Sequence, residues 1–270
     1  MKKTKIIADI SSNHMGNLDI AKAMVEAAAG AGVDVVKFQS WRAGALRKDF
    51  PEYAGTFQRH SLTELSDADH VELLSHCALQ GVEFLTTCFD LERVDFLASL
   101  GLQCIKVASP DCGSVRLLES LMARFPRLII STGMTPGDEV KRAIEVTRGH
   151  DVVFLHCTSI YPTPPEQMNL ERMDWLAGHG VRVGSSDHSL GTDAGLIAIA
   201  RRAEYLEKHF TLSRSLPGKD QAMSTEPAEF RRLVEFRDTV AIMDGVPNPA
   251  LSAEEQRLRG IYVGKWGDNR

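Results

Sequence analysis

The chain has 270 residues, of which 43% are hydrophobic and 25% charged, with a formal net charge of −5. That length suits a single eight-unit α/β barrel with a sizeable core, and a mild acidity without any basic cluster gives no footing for nucleic acid or an anionic membrane. No apolar run nears the ~18 residues of a membrane span, nothing at the N-terminus reads as a signal peptide, and five scattered cysteines without a CxxC pair read as reduced thiols of a cytoplasmic protein.

The first apolar β-branched run covers residues 5–11 and is followed by a helical spacing over 18–31. A second strand over 34–40 leads into a long segment, 40–66, rich in charge and aromatics (Trp41, Arg42, Tyr53, Phe57, Arg59, His60). A connection longer than ~12–15 residues in a compact domain is usually functional or mobile. Helical spacing resumes over 68–80, then a strand over 83–89, a helix over 91–100, and strands over 104–109, 127–133, 152–159 and 182–188. A helix over 193–203, a strand over 205–211 and a last barrel helix over 227–243 complete the alternation. Gly32, Gly81, Gly101 and Gly180 stop helices where a left-handed cap is wanted. Strand-then-helix units repeated eight times predict a parallel sheet closed as a (β/α)8 TIM barrel, with an open doubly wound sheet as the alternative. The domain reading is one barrel over 1–246 and a short tail over 247–270 with weak helical character around 252–259.

In such a barrel the site forms at the C-terminal ends of the strands. Those ends carry Asp9, Lys37 and Gln39, Thr87 and Cys88, Lys106 with Ser109 and Asp111, Ser131, then His156, Cys157, Ser159 and Tyr161, then Ser186, Asp187 and His188, and last Glu207, Lys208 and His209. Lysines together with hydroxyls suit an anionic, oxygen-rich substrate such as a phosphate. Ion pairing at the barrel mouth would equally account for either lysine, and a helix cap for any one serine. His188 and His209 close adjacent strands and could share a borderline divalent ion. Asp187 is expected to turn the chain, and His156 and Cys157 to pack in the core. Asp9, Asp111 and Asp220 are carboxylates that could bind sugar hydroxyls, ligate a metal or move protons.

Six motifs in this order carry a family resemblance: Ser12-Asn-His-Met-Gly-Asn17, Val36-Lys-Phe-Gln39, Ile130-Ser-Thr-Gly-Met134, His156-Cys-Thr-Ser-Ile-Tyr-Pro-Thr-Pro-Pro165, Ser186-Asp-His-Ser-Leu-Gly191 and Glu207-Lys-His-Phe-Thr-Leu212. The chain resembles the sialic acid synthase (N-acetylneuraminate synthase) family, the phosphoenolpyruvate-dependent nonulosonate synthases, from residue 6 to about 240. The resemblance implies condensation of phosphoenolpyruvate with the open-chain aldehyde of an N-acylated amino sugar of the N-acetylmannosamine type. The products would be a 2-keto-3-deoxy sugar acid and phosphate. It implies phosphate binding by Lys37, Thr87, Lys106, Ser109, Ser131 and Ser186, with Ser159 nearby. His188 and His209 match the metal ligands, usually for Mn²⁺, with Mg²⁺ or Co²⁺ as alternatives. Gln39, Tyr161 and Asp220 match positions near the reacting centre and the acceptor, and Asp9 is the candidate to take a proton from water.

Three departures stand out. Asp9 and Pro110-Asp111 replace the family's glutamate and Gly-Glu, the latter at a position that contacts the acceptor. The chain stops where a C-terminal antifreeze-like domain would start, so closure of the acceptor pocket is expected from the 41–60 loop, the 262–266 tail or a separate protein. A homodimer is the usual assembly of such barrels. The residues leave three alternatives open: the same chemistry on a different aldose, a Schiff-base aldolase using Lys37 or Lys106, and a non-catalytic sugar- or phosphate-binding barrel.

Overall fold

The structure, a computed structural model, describes residues 3–245 and 250–267. In chain order it contains β1 (Lys5–Asp9), α1 (Leu18–Gly30), β2 (Val35–Ser40), α2 (Tyr53–Thr63), α3 (Asp67–Leu79), β3 (Glu83–Cys88), α4 (Val94–Ser99), β4 (Cys104–Val107) and α5 (Val115–Met122). It continues with β5 (Arg127–Ser131), α6 (Gly137–Val146), β6 (Asp151–Cys157), α7 (Arg172–Ala177), β7 (Arg182–Asp187), α8 (Asp193–Ala200), β8 (Tyr205–His209), α9 (Pro227–Asp244) and α10 (Ala253–Tyr262). The eight strands pair in sequence order, all parallel, and β8 closes on β1. This is the (β/α)8 barrel that the alternation predicts. The domain boundary expected at 246–247 lies outside the described residues.

Helix ends follow the local chemistry. Ser66 and Asp69 form a capping box that starts α3, and the four glycines expected to stop helices all adopt positive φ, between 72° and 85°. Seven of the strands end one or two residues earlier than the apolar runs suggested, because the chain leaves the sheet at the rim. Ser11 is already left-handed, with φ 50°. The long segment after β2 is more ordered than a loop. Trp41 is buried, stacks edge-on against His60 and Phe89, and donates from Nε1 to the His60 carbonyl at 3.2 Å. Those contacts hold α2 over the barrel mouth.

Alternation along each strand sorts side chains to the two faces of the sheet. Facing the helices are residues such as Ile6, Ala8, Val36, Phe38, Ile105, Ile130 and Phe154, which fill two large apolar clusters. Facing the barrel axis is a smaller apolar layer of Ile7, Val35, Leu85, Ile129, Val153, Leu155 and Tyr205. Below it, at the N-terminal ends, Arg127 and Arg182 share Asp151, and Arg182 also pairs with Glu204. Above it, the next inward positions are Asp9, Lys37, Thr87, Lys106, Ser131, Cys157 and Glu207, each two residues beyond a layer position or in register with one, together with Ser186, in register with Cys157 and Glu207, and His209, in register with Asp9. One apolar layer therefore carries a polar one on its C-terminal side.

Candidate active site

That polar layer floors a cavity of about 420 Å³ that opens at the C-terminal rim. Register explains the convergence. Asp9 on β1 is paired across the sheet with Lys37 on one side and His209 on the other. Thr87 is level with Lys106, and Ser186 sits between Cys157 and Glu207. Parallel neighbours in register point the same way, so residues far apart in sequence reach one space.

The charged groups are interleaved. Lys37 Nζ lies 2.8 Å from Asp9 Oδ2 and 4.0 Å from Glu207 Oε2. Lys106 Nζ lies 3.8 Å from Glu207 Oε1 and donates to Ser131 Oγ at 2.6 Å. Burial alone would raise the Asp9 carboxyl, but the Lys37 ammonium and the His209 ring outweigh it and hold the group below its ordinary value. Burial opposes the charge on Lys37, yet Asp9 and Glu207 raise its pKa. Lys106 is the reverse case: burial prevails, with Lys37 adding to it, and its pKa falls despite Glu207.

Hydroxyls complete the floor. Lys37 donates to Thr87 Oγ1 at 3.3 Å, Ser186 donates to Glu207 Oε1 at 3.0 Å, and Ser109 Oγ accepts from the Gly133 amide at 3.1 Å. A Cβ on Gly133, two residues beyond β5, would come within 2.2 Å of Ser159 Oγ and 2.9 Å of Ser109 Oγ, so any larger residue there would displace these hydroxyls. Asp220, from the loop after β8, accepts from Ser11 Oγ at 3.0 Å. Gln39 and Tyr161 line the wall.

His188 and His209 both line the cavity, with ring centroids 5.4 Å apart. His209 Nδ1 is buried without a hydrogen-bond partner, and burial lowers the pKa of the ring, favouring the neutral form that ligates metals. Among the described residues, no group of three or more His, Cys, Asp or Glu side chains is arranged to hold a metal ion. The two imidazoles fit a divalent ion whose other ligands are water or substrate oxygens.

Several expectations need correction. Asp111 lies in a 3-10 turn at Ser109–Asp111, where Pro110 rather than Asp111 lines the cavity; its carboxylate accepts from Ser114 Oγ at 3.3 Å. Ser159, expected near the hydroxyl group, stands beside it, its Oγ 3.8 Å from the Sγ of cavity-lining Cys157. Cys157 is not core packing: it faces inward, lines the cavity, and its Sγ is 3.7 Å from His188 Nδ1. His156 does point outward, with Nε2 2.7 Å from the Met168 carbonyl. Asp187 turns the chain as expected, accepting from the Ser189 amide and hydroxyl, and forms a buried ion pair with Lys208 at 2.7 Å. Glu207 is the central residue that motif reasoning leaves aside. The signal was in its spacing: Tyr205, Glu207 and His209 alternate onto one face, so a histidine in the cavity brings the glutamate with it.

Fold and floor together define a closed (β/α)8 barrel whose C-terminal rim gathers lysines, hydroxyls and two imidazoles around one cavity. The chain belongs to the NeuB family, whose pattern matches residues 24–248. It is 36% identical to the N,N'-diacetyllegionaminic acid synthase of Legionella pneumophila, over 88% of this chain and 72% of that protein. It is 35% identical to the synthase of the same name from Campylobacter jejuni, over 94% and 82% of the two chains. Among solved structures, the N-acetylneuraminic acid synthetase of Leptospira borgpetersenii superposes with a TM-score of 0.88 at 28% identity, covering 96% of this chain and 91% of that one. Among the described residues, no helix is long and apolar enough to cross a membrane.

Proposed function

We propose that the protein condenses phosphoenolpyruvate with the open-chain aldehyde of an N-acylated amino sugar, yielding a nonulosonic 2-keto-3-deoxy acid and inorganic phosphate. One observation carries this reading: two buried lysines, each hydrogen-bonded to a hydroxyl, converge on one cavity. Such a floor suits a phosphorylated acid. The relatives named for legionaminic and N-acetylneuraminic acids support the product class.

In this scheme Lys37 and Lys106 hold the phosphate, with Ser109, Ser131, Ser186 and Thr87 around it. C3 of the enol ether attacks the aldehyde carbon, the aldehyde oxygen takes a proton, and positive charge is left at C2. Water adds at C2 and passes a proton to a carboxylate, for which Asp9 is the candidate. The bond between C2 and the bridging oxygen of the phosphate then breaks, the C2 hydroxyl passes its proton to the departing phosphate, which leaves on the lysines, and C2 becomes the ketone. Gln39, Tyr161 and Asp220 orient the acceptor along the wall. His188 and His209 would hold a divalent ion, Mn²⁺ with Mg²⁺ or Co²⁺ as alternatives, which when bound supplies Lewis acidity towards an aldehyde oxygen.

The test is an acceptor screen with phosphoenolpyruvate in ¹⁸O-water, read as phosphate release and by mass spectrometry of the acid. The expected result is a new nonulosonic acid with unlabelled phosphate. Labelled phosphate would overturn C–O cleavage, and no product from any N-acylated amino sugar would overturn the function.

A further inference from the structure

Among the described residues, Glu207 is the carboxylate within 4.0 Å of both lysines. Its side chain is buried, Oε1 accepts from Ser186 and lies 3.8 Å from Lys106 Nζ, and Oε2 lies 4.0 Å from Lys37 Nζ with no hydrogen-bond partner of its own. The two lysines differ in support. Lys37 has Asp9 at 2.8 Å, whereas Lys106 has neutral partners, the Ser131 hydroxyl and the Val107 carbonyl, and Glu207 as its nearest carboxylate. An ammonium so placed sheds its proton readily unless an anion stands by.

We propose that Glu207 is a positioning residue for Lys106: its carboxylate keeps that ammonium charged and turned to the cavity until an anionic substrate arrives. The inference rests on the phosphate role given to Lys106 above and adds what keeps that role available. The groups facing Lys106 are Glu207 from β8, Lys37 from β2, Cys157 from β6 and Asp9 from β1. Burial and Lys37 favour the free amine. Glu207 is the largest influence opposing them, with Cys157 and Asp9 smaller. Removing the Glu207 charge lowers the pH at which Lys106 is lost as a cation, while Lys37 keeps Asp9. The vacant Oε2 also explains why the carboxylate does not lock the lysines: at about 4 Å it screens them without a tight bond, so an entering anion can take its place.

Sulfate, a tetrahedral dianion at all relevant pH values, is titrated calorimetrically from pH 6 to 10 into the unaltered protein and Glu207→Gln. Both are expected to bind at pH 6. The alkaline midpoint of Glu207→Gln is expected at least one unit lower, which is about tenfold weaker binding at fixed pH. Adding Lys106→Arg to Glu207→Gln is expected to abolish that limb, because arginine keeps its charge throughout. A limb that survives assigns the titration to a group other than Lys106, such as Lys37 or Cys157, and overturns the inference. Coincident midpoints for the unaltered protein and Glu207→Gln also overturn it, while leaving the anion site standing. Absence of sulfate binding by the unaltered protein at pH 6 would overturn the anion site itself, and the inference with it. Should Glu207→Gln fail to fold, Glu207→Asp, one methylene shorter, is expected to lower the midpoint, and an unchanged midpoint overturns the inference.

Discussion

Asp9 and Lys37 occupy paired positions on neighbouring strands, and their side chains meet at 2.8 Å with both groups buried in the cavity floor. Breaking such a pair from one side leaves an uncompensated charge in a dry place. Lys37→Met should therefore destabilise the fold by about 3–5 kcal/mol. The double variant Asp9→Asn/Lys37→Met should cost clearly less than the sum of the two single changes. Urea unfolding of all four proteins measures the coupling, and additivity would contradict a working pair.

The same pair sets a pH dependence. The Asp9 carboxyl is lowered from its ordinary 3.8, so its stabilisation is present above that value and is lost as pH falls through the folded-state pKa. Lys37 is raised from 10.5, so its share is present below that value and is lost as pH rises past the folded-state pKa. The stability difference between the unaltered protein and Asp9→Asn should hold constant near neutrality and shrink below about pH 4. Denaturation midpoints between pH 3 and 7 would reveal it, and a constant gap across that range would contradict the sign.

Lys208 neighbours the cavity residues in sequence but not in space, since its ammonium is spent on Asp187 and the Ser189 carbonyl. Lys208→Met should lose about 3–5 kcal/mol of stability, while the folded fraction keeps its affinity for sulfate. Lys106→Met should do the opposite, weakening anion binding at least a hundredfold (about 3 kcal/mol). Calorimetry beside thermal melts separates the two cases. Equal loss of binding in both would mean that the strand faces are misassigned.

Metal removal gives a further test. Chelation should abolish turnover and Mn²⁺ should restore it, and His209→Ala should lose Mn²⁺ binding by electron paramagnetic resonance while its circular dichroism is unchanged. Full turnover in chelator would exclude a metal role for the two imidazoles.

Most of the barrel is legible in the sequence because strand and helix carry different periods. The inward face at the rim is legible for the same reason, wherever alternation is followed through. Motif membership alone is a poorer guide: it gives Glu207 no role and places Cys157 in the core, whereas alternation along β8 and β6 turns both inward. Asp111 is a different case. It lies beyond the strand, where a 3-10 turn rather than the sheet decides direction, and a two-residue period has no authority there. The helix α2 was hidden because its 11 residues bury only Thr56 and Thr63, which leaves no apolar stripe to read.

The seven-residue apolar layer across the barrel axis acts as a bulkhead. It parts the cavity's lysines from the arginine–carboxylate cluster at the opposite end. Redesigning Arg127, Asp151 or Arg182 should therefore tune the durability of the scaffold with little influence on chemistry at the far mouth, and each end can be altered as an independent part.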